Sequence, residues 1–281
     1  MRFALKTAPQ HTEWADMLAV WQAADDMDFF ESAWTFDHFY PIFSDSTGPC
    51  FEGWTVTTAL AQATRRLRVG VLVTGMSYRH PAVLAKMAAT LDVVSGGRLE
   101  LGLGAGWNQE EADAYGIDLH STLTDRFDAF DEACEVIIGL LTNTTTTFEG
   151  KYLQLKDARC EPKPVQQPNP PICIGGGGER RTLRSVARYA QHWNYPGGPA
   201  SEFSQKIEML SEHCTAAGRD VSEITTSTHL RLSEDADVAS LVEQAEAYAA
   251  AGLDLGIVCL PPPHTPAVLE PVVHALEHLR S

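Results

Sequence analysis

The chain has 281 residues, a formal charge of −16, and a composition that is 44% apolar and 21% charged. That length makes one large domain or two small ones, big enough to bury a core without disulfides or metals. So acidic a surface repels phosphate backbones and anionic lipid, which argues against nucleic acid and membrane partners but does not exclude a small anionic ligand in a locally basic pocket.

Short β-branched or aromatic runs alternate with segments whose apolar residues recur at helical spacing. Residues 2–8 predict a strand, and 13–28 a helix with Trp14, Met17, Leu18, Trp21 and Ala24 on one face. A strand at 32–37 and a helix over 51–64 follow, then the clearest strand, RLRVGVLVTG at 66–75. His80-Pro81 opens the next helix, since the missing proline N–H would be unpaired there in any case. Its expected inner face is Val83, Leu84, Met87, Leu91 and Val94, with Gly96-Gly97 as the left-handed stop. A fourth strand, 98–103, precedes a helix over 124–141 with Phe127, Phe130, Cys134, Ile137, Ile138 and Leu141 inward.

Residues 142–171 are polar and proline-rich and predict a surface hairpin with arms at 146–149 and 152–155. Strands at 172–175, 192–195, 224–232 and 254–260 each lead into a helix, the last opened by Thr265-Pro266. Eight strand–helix units without a separating linker predict a single domain over 1–281, with the hairpin a small excursion between strands four and five. Right-handed crossovers make such units a parallel sheet, and eight of them close into a (β/α)8 TIM barrel; an open doubly wound sheet is the alternative.

The six cysteines follow neither a disulfide framework nor zinc spacing. The N-terminal MRFALKTAPQ lacks the apolar run of a signal peptide, and no stretch approaches a membrane span, so the expectation is a soluble, reduced, cytoplasmic protein.

Barrel chemistry sits at the C-terminal strand ends, and four of these stand out. Asp37-His38 closes strand two. It reads either as a capping pair or as a proton donor and acceptor, because imidazole titrates near neutrality beside a carboxylate. Val71-Leu72-Val73-Thr74-Gly75-Met76 closes strand three, either as a plain strand end or, from its Thr-Gly ending, as a bulge where backbone meets something flat. Gly102-Leu103-Gly104-Ala105-Gly106-Trp107-Asn108 closes strand four, as a glycine turn or a ligand platform. Gly175-Gly176-Gly177-Gly178 runs into a helix start followed by Arg180 and Arg181, which points to anion binding by free N–H groups. Glu110 and Glu111 read more readily as solvated helix-start carboxylates than as general acids, and His192, His213 and His229 have no partner at metal-ligand spacing. Without a GxSxG elbow or an activated cysteine, hydrolase and metalloenzyme chemistry lack their minimum equipment.

The run RHPAVLAK (79–86), continued by Ala89-Thr90-Leu91-Asp92 and Ser95-Gly96-Gly97-Arg98, resembles the bacterial luciferase-like flavin and deazaflavin oxidoreductases. LELGLGAGWNQEE and PPICIGGGGERRTLRSVARYA extend the likeness along the chain. Asp37-His38 looks like the branch that uses the deazaflavin coenzyme F420, rather than the monooxygenases that use FMN. The resemblance implies that His38, with Asp37 beside it, faces the ring as proton donor or acceptor. It implies that the bulge at Leu72, Val73 and Thr74, often with a non-prolyl cis peptide, presses on the ring's back. Ala105, Gly106, Trp107 and Asn108 would line the cofactor channel, and Gly175, Gly176, Gly177, Gly178 and Arg181 would hold the phosphate. Trp193-Asn194 fits the family pattern, whereas Gln191-His192 replaces its usual Asp-Gly. The implied function is F420-dependent hydride transfer to or from a small organic substrate, by a protein that is expected to be a homodimer. The alternatives are an FMN-dependent monooxygenase and a non-catalytic cofactor carrier.

Overall fold

The computed structural model describes residues 1–280. In chain order its elements are β1 (Arg2–Thr7), α1 (Trp14–Asp25), β2 (Phe30–Thr35), α2 (Gly53–Ala63), β3 (Arg68–Val71), β4 (Thr74–Gly75), α3 (Pro81–Val94), β5 (Leu99–Gly104), α4 (Gln109–Tyr115) and α5 (Leu123–Thr142). There follow β6 (Thr146–Glu149), β7 (Gln154–Ala158), β8 (Ile172–Gly175), α6 (Thr182–Tyr189), β9 (His192–Tyr195), α7 (Ala200–Ala217), β10 (Thr225–Arg231), α8 (Val238–Ala250), β11 (Leu255–Leu260) and α9 (Leu269–Leu276).

Eight strands pair in parallel around a closed ring, β1-β2-β3-β5-β8-β9-β10-β11 and back to β1. The barrel is closed, so the open-sheet alternative falls. β6 and β7 form the expected antiparallel hairpin outside it, with the second arm starting two residues later than predicted.

Strand side chains alternate between the two faces of the sheet, so every second residue points into the barrel. Ala4, Trp34, Leu72, Cys173, Leu255 and Ile257 form an apolar plug there, apart from the larger core between strands and helices. A polar knot of His192, Glu100 and Ser227 is buried in the barrel as well, joined by the half-buried Arg68. His192 Nδ1 lies 3.0 Å from Glu100 Oε2 and Nε2 lies 2.7 Å from Ser227 Oγ. Arg68 Nε donates to Glu100 Oε1 at 2.7 Å. Burial pushes the Glu100 carboxyl up, but His192 and Arg68 outweigh it and hold the group down at about 2. Burial pushes the His192 imidazole down, and Cys173 and Glu100 outweigh it, raising the group to about 10.

The structure departs from the sequence-based expectation at three places. The α3 face that meets the barrel is Leu84, Ala85, Ala88, Ala89 and Leu91, while Val83 and Val94 face solvent at 53% and 39% exposure. Small alanines bring this helix close to the sheet, so its largest apolar residues do not mark the contact face. Trp14, expected inward on α1, is 38% exposed. The predicted third strand is interrupted: β3 stops at Val71, the Leu72–Val73 peptide is cis, and β4 resumes the pairing to β5.

The neighbouring glycines make room for that interruption. A Cβ on Gly102 would stand 1.9 Å from the Val71 carbonyl oxygen. One on Gly104 would stand 2.7 Å from Val73 Cγ2, and one on Gly175 would stand 3.0 Å from Val73 Cγ1. Gly102 and Gly104 therefore serve the bulge itself, the reading of this motif that sequence alone did not select.

Candidate active site

A cavity of 720 Å³ opens at the C-terminal ends of the strands, within the size range of small-molecule and cofactor sites. Val73 enters it from the bulge, flanked by Gly104 and Gly175, and Leu72 stands beside it. Ala105, Gly106 and Trp107 line one side.

Strand alternation assigns the Asp37-His38 pair two separate roles. Continuing the inward series from Trp34, the residues Phe36 and His38 reach the cavity. Asp37 points the other way, is 1% exposed, and forms a two-pronged ion pair with Arg79. It is therefore not the carboxylate that orients His38. That carboxylate is Glu111, fully buried on the first turn of α4, with Oε2 at 2.8 Å from His38 Nδ1.

Glu111 also accepts from the Phe39 N–H at 2.7 Å and from the Tyr78 hydroxyl. Burial pushes its carboxyl up, but the bonds from His38, Tyr78 and Phe39 outweigh it and hold the group below its ordinary range. Burial, with Glu111 adding to it, pushes the Tyr78 phenol far up. An ionised carboxylate only accepts hydrogen bonds, so the network assigns the His38 hydrogen to Nδ1 and leaves Nε2 an acceptor while the ring is neutral. Phe36 and Trp107 pack edge-on against the imidazole at 5.1 and 5.5 Å between ring centres. Phe43 stacks on Trp107 at 5.6 Å, and this rim pair is 86% and 55% exposed.

The glycine loop between β8 and α6 forms another wall. Gly175, Gly176 and Thr182 line the cavity. Gly176 has φ +135°, donates its N–H to Asn194 O at 3.0 Å, and accepts from Trp193 Nε1 at 2.8 Å. Gly177 and Gly178 follow it just beyond the cavity lining, and their N–H groups have no protein acceptor among the described residues.

Of the predicted site residues, His38, Leu72, Val73, Ala105, Gly106, Trp107, Gly175 and Gly176 meet at the cavity. The others stand behind or beside it. Thr74 is buried and accepts from Trp54 Nε1 at 2.8 Å. Asn108 caps α4 by accepting from the Glu111 N–H at 3.2 Å, so it positions the carboxylate rather than lining the wall. Arg181 lies 2.9 Å from Asp128. Sequence reasoning favoured a solvated helix-start carboxylate for Glu111, which is instead fully buried, and weighed His229 only as a metal ligand; it missed Tyr78 and the cavity residues Lys6 and Arg231. A glutamate three residues past a capping asparagine was the available signal for Glu111.

Three observations fit a flat heterocycle with an anionic tail: the largely apolar cavity, the valine projecting from its wall, and the unpaired N–H groups of Gly177 and Gly178. The family model described as luciferase-like monooxygenase matches residues 1–277. The chain belongs to that family.

Solved structures agree on the luciferase-like barrel. An F420-dependent secondary alcohol dehydrogenase, in complex with an F420-acetone adduct, has a TM-score of 0.88 at 19% identity, covering 100% of this chain and 99% of that one. The coenzyme F420-dependent tetrahydromethanopterin reductase from Methanopyrus kandleri has a TM-score of 0.84 at 20% identity, with 99% of each chain covered. Monooxygenase RslO1 from Streptomyces bottropensis has a TM-score of 0.76 at 19% identity, covering 99% of this chain and 97% of that one. At such identities these likenesses establish the fold of this luciferase-like protein. No helix among the described residues is long and apolar enough to cross a membrane.

Proposed function

We propose that this protein is a coenzyme F420-dependent oxidoreductase acting on a small organic substrate in the barrel mouth. The observation that carries the reading is the His38–Glu111 pair, a cavity-facing imidazole whose rear nitrogen is fixed by a buried carboxylate. When bound, the deazaflavin supplies a carbon that gives or takes a hydride, and the redox chemistry is its own. Val73 would support the ring from behind, and the Gly175–Gly178 loop would hold the anionic tail at its free N–H groups and the α6 start.

The remaining work is proton handling. Hydride transfer to a carbonyl needs a proton at the oxygen, and the reverse needs one removed. His38 Nε2 supplies or takes it, while Glu111 keeps the ring oriented through Nδ1. Tyr78 and the Phe39 N–H hold Glu111 in place, so the pair needs no rearrangement during the transfer. Phe43, Trp107 and Phe36 screen the imidazole from bulk water.

The two F420-dependent neighbours support this reading, and the likeness to monooxygenase RslO1 favours the competing one, an FMN-dependent monooxygenase in the same cavity. Parallel fluorescence titrations of the purified protein with F420 and with FMN separate them. The proposal expects saturable F420 binding that FMN competes for poorly. Tighter FMN binding with substrate-dependent oxygen consumption would overturn it.

A further inference from the structure

The cavity has a second charged feature that the proton pair does not use. Counting strands around the closed ring, β1 stands four places from β8 in either direction, so it faces the glycine loop across the barrel. β1, β11 and β10 are consecutive neighbours, and register aligns Lys6 with Cys259 and Cys259 with Arg231. His229 lies two residues before Arg231, on the same face of β10. All four line the cavity.

The hydrogen-bond inventory of Lys6 is incomplete in an informative way. Its ammonium donates to the Leu72 carbonyl at 3.2 Å and lies 3.4 Å from His229 Nε2. An ammonium has three hydrogens, so one remains. The Arg231 guanidinium has no hydrogen-bond or ion-pair partner among the described residues, and Glu234, which also lines the rim, pairs with neither cation. By contrast, Arg68, Arg79 and Arg181 each hold a carboxylate. Burial and the Arg231 charge both push the Lys6 ammonium below its ordinary range, and burial, Lys6 and Arg231 do the same to His229. Two mutually repelling cations at one cavity wall, in a chain of charge −16, leave a place for an anion.

We propose that Lys6 and Arg231 form an anion subsite that takes a carboxylate or phosphate group of the substrate, which is therefore an anionic small molecule. Arg231 offers a planar fork of N–H donors at the mouth, and Lys6 offers its third hydrogen from deeper in the barrel. His229, in neutral form, accepts from Lys6 and aims the ammonium. With the anion held on the β1–β11–β10 side, and the glycine loop opposite β1 and two strands from β10, the reacting part of the substrate lies between them, where Val73 and His38 reach the cavity. The word substrate rests on the oxidoreductase reading; the anion subsite does not.

Calorimetric titration of the full-length protein with succinate and with inorganic phosphate, at constant ionic strength, tests the site. The expected result is saturable binding that Arg231→Gln weakens about tenfold or more, as for a lost charge-assisted bond, and that Arg231→Lys largely restores. The tighter of the two probes names the group. Lys6→Met should weaken binding likewise; if that variant does not fold, the Arg231 pair decides. Equal dissociation constants in wild type and Arg231→Gln would send the anion to the glycine loop and overturn the proposal, as would the absence of saturable binding. Fluorescence titration of Arg231→Gln with F420 should match wild type, whereas a parallel loss would make the cations a cofactor site and overturn the substrate assignment. Failure of the wild type to bind F420 would instead refute the oxidoreductase reading and leave the anion titration to stand on its own.

Discussion

Glu111→Gln keeps the shape of the buried carboxyl and removes its charge. Glu111 accepts from His38 Nδ1 at 2.8 Å, from the Phe39 N–H at 2.7 Å and from the Tyr78 hydroxyl. Bonds to a charged group contribute about 1 kcal/mol more than neutral ones, so the three together lose about 3 kcal/mol. Relief from burying a charge returns part of this, which leaves a net loss of about 1–3 kcal/mol. For a chain of this size that lowers the melting temperature by about 2–5 °C, and the variant still folds.

The chemical consequence is sharper than the energetic one. With its oxygen on the Phe39 N–H, the glutamine amide turns its N–H toward His38 Nδ1, which must then accept. The ring hydrogen moves to Nε2, and the cavity loses its acceptor. Long-range proton–nitrogen spectra read this directly, with an acceptor-type Nε2 in wild type and a hydrogen-bearing Nε2 in the variant. The sign of the pH dependence is also fixed. Because the Glu111 carboxyl is held below its ordinary range, its contribution is complete above an unfolded value of about 4.3 and fades as pH falls through the folded one. The stability gap between wild type and Glu111→Gln should be full at neutrality and close on acidification. An unchanged His38 tautomer, or a gap that widens in acid, would refute the assignment of Glu111 as the orienting group.

Other perturbations give equally definite expectations. Arg79→Met strands the buried Asp37 carboxylate and should cost about 3–5 kcal/mol in urea denaturation, with most of it recovered when Asp37→Asn is added. Gly102→Ala drives a methyl group into the Val71 carbonyl and should cost more than the roughly 1–3 kcal/mol of ordinary overpacking, measured in the same assay. Stability should also carry the signature of the Glu100–His192 pair. The Glu100 contribution is present above the ordinary carboxyl range and lost as pH falls toward about 2, and the His192 contribution is present below the ordinary imidazole value and lost as pH rises through about 10. His192→Gln should flatten the alkaline limb of the stability–pH curve. Trp107→Ala removes an exposed ring, so it should weaken F420 binding while leaving the urea midpoint nearly unchanged.

The barrel was legible because its two periodicities are clean: alternation in the strands and helical spacing between them. Boundaries at 172–175 and 192–195 match the prediction residue for residue. The inner face of α3 was misread because Ala85, Ala88 and Ala89 make the contact, and small residues leave no mark in a count of large apolar ones. In the site, His38 and the glycine loop announced themselves through local sequence. Asp37 misled for a geometric reason: adjacent strand residues face opposite ways, so the neighbour in sequence is the wrong partner in space. Glu111 reaches His38 across 73 positions, and Lys6 and Arg231 come to one cavity wall only through strand register, each aligned with Cys259 between them. Each is an unremarkable charged residue until the barrel closes.

The most direct measurement is a crystal structure of the protein soaked with F420. The account predicts the ring against Val73, its tail at Gly175–Gly178, and His38 Nε2 facing the reactive side. A ring bound away from Val73, or a tail seated on Lys6 and Arg231, would contradict it.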